Sequence, residues 1–110
     1  METKVMINIV ATQCQPADEK KFNQWYNEVH VPLLMKFKGM TKVSRYEMTG
    51  DVKDFPKYLA VYEFESQKAL EAFNNSPELA AALKEMNETW KGGIDIKWMV
   101  QLKLLQTWIK

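Results

Sequence analysis

The chain has a single histidine, His30, set in the stretch FNQWYNEVHVPLL (residues 22–34). Imidazole is the side chain that exchanges protons near neutrality, so His30 is the natural candidate for acid or base work. Tyr26 precedes it by four residues and stacks on the same side of a helix, where its hydroxyl could orient the imidazole or bond a substrate oxygen. Trp25 adds a second ring, and Pro32 removes the amide that would bond the carbonyl of Glu28, so the helix is expected to kink or end there. Two aromatics, a histidine and a proline at a bend describe a pocket wall. A satisfied core histidine, bonded to a carbonyl freed by Pro32, is the competing reading.

Other residues could complete such a site. Arg45 and Glu63 interrupt strand-like runs, and charges pointing into a cavity would pair or meet a ligand. Arg45 would then hold a carboxylate or enolate, and Glu63 would accept a proton with a raised pKa. Asn8 lies in an apolar strand and needs partners for its amide, either a neighbouring strand or a ligand. Trp98 offers a flat stacking surface or core bulk. Surface exposure is the alternative for the two charges.

Several chemistries are not indicated. One cysteine, Cys14, permits no intrachain disulfide and no thiolate cluster, and its role is not legible. No carboxylate stands at ligand spacing from His30, so no metal is expected. Glycine-rich phosphate loops and serine-nucleophile signatures are missing from the sequence, and no cofactor is expected.

The elements that must position these residues follow from periodicity. Val5, Ile7 and Ile9 alternate with Met6, Asn8 and Val10 as a first strand, apolar on both faces. Pro16-Ala-Asp-Glu opens a helix running to about Leu34–Lys38, with Phe22, Trp25, Tyr26, Val29, His30, Leu33, Leu34 and Phe37 on one face. Gly39 is expected as a left-handed C-terminal cap. Met40–Thr49 and Lys57–Glu65 are strands, the latter central. Ser66 caps a helix over Gln67–Asn74, and Ser76-Pro77 starts another through about Trp90, stopped by Gly92 and Gly93. Ile94, Ile96, Trp98, Val100, Leu102 and Leu104 mark a long half-buried strand.

The order β-α-β-β-α-β gives an α+β fold, ferredoxin-like, with a four-stranded antiparallel sheet and both helices on one face. At 110 residues one domain, 1–110, is expected. The uncovered sheet face would leave about ten large side chains in water, which a second subunit resolves by packing sheet on sheet. Fifteen basic and fourteen acidic residues leave a net charge of +1, so nothing calls for nucleic acid. The N-terminal run alternates and is too short to span a bilayer, so neither membrane nor leader is expected, and the location is read as cytoplasmic.

These residues also carry a resemblance. Phe22-x-x-Trp25-Tyr26-x-x-x-His30-x-Pro32-Leu33, then Gly39-Met40, Ser44-x-Tyr46, Tyr58-Leu-Ala-x-Tyr62-Glu-Phe-Glu-Ser66 and Ser76-Pro77-Glu78, resemble the EthD-like branch of the dimeric α+β barrel superfamily over nearly the whole chain. The resemblance implies a homodimer whose facing sheets enclose a cavity for a small apolar or aromatic molecule. It also implies cofactor-independent chemistry of the isomerase, cyclase or monooxygenase type on a cyclic or enolisable substrate, with the histidine role carried to His30 alone; a non-catalytic binding dimer and a barrel filled by its own side chains are the alternatives. Haem-degrading relatives place a histidine on the second long helix, whereas here Asn8 is present but the histidine is on the first. Lys38-Gly39 stands where many EthD-like sequences have Pro-Gly.

Overall fold

The computed structural model describes residues 5–110; the part of the N-terminal run that falls on residues 1–4 lies outside it. Strand β1 (Met6–Cys14) leads through a short 3-10 turn, Pro16–Asp18, into helix α1 (Glu19–Trp25). A π-helical segment, Tyr26–His30, joins α1 to α2 (Val31–Leu34). Strands β2 (Met40–Glu47) and β3 (Tyr58–Phe64), helices α3 (Gln67–Asn74) and α4 (Pro77–Trp90), and strand β4 (Ile94–Lys103) complete the order. The sheet runs β2-β3-β1-β4 with every neighbouring pair antiparallel, the expected ferredoxin-like βαββαβ arrangement with β1 and β3 central.

The helices cover one face. Met6, Asn8, Val10 and Thr12 of β1 and Tyr58, Ala60, Tyr62 and Phe64 of β3 are buried beneath them, packed on Phe22, Trp25, Tyr26, Leu34, Leu70, Phe73, Ala82 and Trp90. Serines cap the N-termini of α3 and α4: Ser66 Oγ accepts from the Ala69 amide and Ser76 Oγ from the Leu79 amide, both at 3.1 Å. Each contributes about 1 kcal/mol.

Three local expectations are corrected. The helix does not break at Pro32; the accommodation lies one turn earlier, where the Val31 amide bonds the Tyr26 carbonyl five residues back. The proline therefore follows directly on an i→i−5 turn, and the chain continues helical through Leu34. Gly39 is not a left-handed cap, since positive φ among the glycines is confined to Gly50 and Gly92. It is needed for close approach: a Cβ there would stand 2.7 Å from Ala69 Cβ and 2.9 Å from Phe37 Cε2. Finally, β4 is not one continuous stripe. Ala11 pairs with Trp98 but Thr12 pairs with Ile96, so a bulge at Lys97 reverses the parity. Ile94 and Ile96 face the helices, while Trp98, Val100 and Leu102 face the other way, and as an edge strand β4 is mostly exposed.

Candidate functional site

A cavity of about 230 Å³ lies between the helical layer and the sheet, inside one chain. Its floor is one row across the sheet, Tyr62, Asn8 and Gln101, which are direct cross-strand partners on β3, β1 and β4. The neighbouring rows are Phe64-Met6 on one side and Ala60-Val10-Met99 on the other, so a polar row is set between largely apolar ones. Trp25, Tyr26 and His30 form the roof with Leu34, Leu79 and Met86, and the exposed Asn74, Leu83, Ile96 and Met99 form the lip toward the β4 edge.

The π segment decides how the roof is presented. A turn of that width brings residues four and five apart onto the same side, and His30 accordingly touches both aromatic predecessors. Its ring stacks on Trp25 with centroids 4.8 Å apart and meets the edge of Tyr26 at 4.9 Å. Trp25 is anchored from outside, its Nε1 donating to Glu85 Oε1 at 2.9 Å, and Thr89 Oγ1 bonds the other oxygen of that carboxylate.

Two residues that line this cavity each carry a buried atom with no hydrogen-bond partner among the described residues: Asn8 Oδ1 and His30 Nδ1. Their residues are 7% and 6% exposed. Leaving such groups bare costs about 1–3 kcal/mol each, and buried polar atoms in folded proteins are overwhelmingly paired. Burial lowers the His30 pKa from 6.5 to about 4, opposed by the Glu85 carboxylate and assisted by the Arg45 cation. The imidazole is therefore neutral at pH 7. Tyr26 and Tyr62 bond hydroxyl to hydroxyl at 2.7 Å; desolvation raises both phenols, and the Arg45 charge pulls each back in part.

Of the seven residues singled out from the sequence, Asn8, Trp25, Tyr26 and His30 meet in this cavity. Arg45 faces the same side of the sheet but stands outside it. Its guanidinium lies over the Tyr26 ring at 4.3 Å and donates to Asn27 Oδ1 at 2.8 Å and Asn23 Oδ1 at 2.9 Å, in a separate shallow cleft. Glu63 is on the opposite, uncovered face, 3.7 Å from Lys42. Trp98 is on that face too, edge-on to Phe55 at 6.0 Å. This cavity lies under the helices of one chain rather than between facing sheets: Asn8 and Arg45 point to the helix side, away from the uncovered face, whereas Glu63 and Trp98 lie on that uncovered face. Tyr62 and Gln101 were missed. Their only signal is adjacency to Asn8, which requires the strand registers. No group of three or more His, Cys, Asp or Glu among the described residues could hold a metal ion.

A family model described as a domain of unknown function, DUF4286, matches residues 5–95. The chain belongs to the DUF4286 family. No curated protein sequence matches this DUF4286 chain. Among solved structures, HapK from Hahella chejuensis superposes with a TM-score of 0.73 at 10% identity, over 96% of this chain and 97% of its own. An ethyl tert-butyl ether D (EthD) family protein from Bacillus halodurans gives 0.69 at 15% identity, over 94% and 100%. A dimeric ferredoxin-like protein of unknown function from Thermobifida fusca gives 0.61 at 10%, over 96% and 94%. At such identities the likeness is one of fold. This DUF4286 chain therefore shares a ferredoxin-like α+β fold with these proteins, and the likeness does not single out the EthD-like branch. No helix among its described residues is long and apolar enough to cross a membrane.

Proposed function

We propose that this protein binds a small, largely apolar ring compound in the cavity between sheet and helices and, without a cofactor, moves a proton on it through His30. The observation that carries this reading is the pair of unpartnered atoms, Asn8 Oδ1 and His30 Nδ1, on two residues that line one largely apolar chamber. A ligand bearing polar groups would satisfy both. A cavity of about 150 Å³ accommodates benzene, and drug-sized ligands use about 300 Å³ or more; the 230 Å³ here suits one or two fused rings. The proton step breaks a C–H bond beside a carbonyl. Its electron pair becomes the C=C bond of an enolate while the proton goes to His30, which returns it to carbon.

The EthD-like motif His30-x-Pro32-Leu33 supports the same role for His30. A homodimer belongs to this reading: Ile7, Ile9, Leu59, Val61, Trp98, Val100 and Leu102 make the uncovered sheet face apolar by register, and the Thermobifida fusca protein of this fold is described as dimeric. The low pKa of His30 favours a second reading, binding without turnover, because a base this weak accepts a carbon-bound proton reluctantly.

The test uses 1-tetralone, an enolisable bicyclic ketone, in deuterated buffer near pH 7. Its C2 protons are followed by NMR and its binding by quenching of tryptophan fluorescence. Catalysed exchange should exceed the buffer rate by about 100-fold and return to it in His30→Gln, with the ketone still bound. Binding without exchange selects the second reading; a protein that does neither refutes both.

A further inference from the structure

We infer that the cavity takes an uncharged ligand through a carbonyl or hydroxyl oxygen, and that the Tyr26–Tyr62 hydroxyl pair is the group that receives it. This rests on the ligand-binding reading above and specifies its substrate class. The argument is a count of protons. Two phenols share one hydrogen bond, 2.7 Å long, and both side chains are 3% exposed. A hydroxyl carries one proton and two lone pairs. Whichever tyrosine donates to the other, the acceptor retains a proton of its own, and neither hydroxyl has a second partner among the described residues. Both tyrosines line an apolar chamber together with Asn8, the cross-strand partner of Tyr62, whose Oδ1 has no hydrogen-bond partner among the described residues. An oxygen placed against the pair uses the spare proton. A donor on the same ligand would use Asn8.

Charge decides between neutral and anionic ligands. Among the described residues no lysine, arginine or carboxylate lines the cavity. Arg45 lies outside the lining, its guanidinium over the Tyr26 ring and two asparagine oxygens on its nitrogens. A carboxylate entering the cavity would lose its water and find neutral donors alone, a costly exchange. A ketone or phenol loses little and gains a hydrogen bond. In the proton-transfer reading the same pair stabilises the enolate oxygen as charge moves onto it: electrons leave the C–H bond, the proton goes to His30, and the oxygen draws on the phenolic O–H.

Three probes separate the possibilities: tetralin, which has no oxygen, 1-tetralone and 2-naphthoate. Dissociation constants are measured on the full chain, on Tyr62→Phe and Tyr26→Phe, and on the double variant Tyr26→Phe/Tyr62→Phe, with circular dichroism to verify that each variant is folded. Wild type should bind 1-tetralone about tenfold more tightly than tetralin, the value of one buried hydrogen bond, and 2-naphthoate most weakly. The double variant should lose that tenfold preference while its affinity for tetralin stays within about twofold of wild type, whereas each single variant keeps one unshared O–H and with it a preference for the ketone. A preference retained in the folded double variant, or 2-naphthoate bound as tightly as the ketone, overturns the assignment and leaves the cavity as a ligand site. Failure of all three probes to bind wild type overturns the ligand-binding reading and this assignment with it.

Discussion

At the scale of the residue, His30 combines two properties rarely found together: it is buried without a partner for Nδ1, and it is the one histidine of the chain. Its titration is therefore visible as a single set of imidazole resonances. The folded midpoint should fall at about 4, against about 6.5 in the unfolded chain. Between these values the unfolded chain takes up a proton that the folded one refuses. The stability that His30 gives is complete above pH 6.5 and is lost progressively as pH falls toward 4. The loss amounts to about 3 kcal/mol. Denaturant unfolding at a series of pH values should show that slope in wild type and not in His30→Gln; a wild-type stability flat between pH 6.5 and 4 would show that the imidazole is solvated. The pKa has a functional side as well. A neutral imidazole both donates and accepts, which suits it to hold an uncharged ligand, and a group that bonds Nδ1 as an acceptor from His30 would raise the midpoint on binding.

At the scale of the element, the close passage of the chain at Gly39 ties the start of β2 to α3. With 2.7 Å between a virtual Cβ and Ala69 Cβ, Gly39→Ala should destabilise the fold by about 1–3 kcal/mol through overpacking. Adding Ala69→Gly should recover part of that loss, net of the cost of glycine in a helix. Thermal or denaturant unfolding of the two single variants and the double variant measures the coupling, and additive losses would mean the two positions do not touch. Gly39 also shows where reading a sequence stops. Its need for absence of a side chain was legible, but the reason was a neighbour thirty positions away rather than its own φ. The elements themselves were legible from period and caps: the alternation around Val5–Val10, Ser66 before Gln67, Ser76-Pro77 before Glu78. What was not legible was parity. Strands β1 and β3 are apolar on both faces, so the pattern does not say which side the helices cover, and the Lys97 bulge shifts β4 by one residue with no compositional mark. Asn8 and Arg45 were expected in a cavity between facing sheets for that reason and point under the helices instead, whereas Glu63 and Trp98 do lie on the uncovered face. The four helix and strand residues that do meet, Asn8, Trp25, Tyr26 and His30, needed either no register at all or only the buried parity of β1.

At the scale of the whole molecule, one layer of helices on one sheet leaves half of the sheet unsheltered. Val61 lies near the centre of that face, opposite Ile9 on β1 and Ser44 on β2. Sedimentation equilibrium should return twice 12.9 kDa for wild type and 12.9 kDa for Val61→Glu, since a carboxylate buried between sheets without a partner costs several kcal/mol. A wild type that sediments as a single chain at micromolar concentration would remove the homodimer. The polar row of the cavity floor has an effect at this scale too. Tyr62, Asn8 and Gln101 take one residue from each of three adjacent strands, so a molecule resting on them is a cross-tie laid perpendicular to the chain direction. It fastens the exposed edge strand β4 to the centre of the sheet without a covalent link. Occupancy would then be recorded in the backbone amides, whose exchange with solvent would slow across the three strands at the height of the row rather than along any one of them.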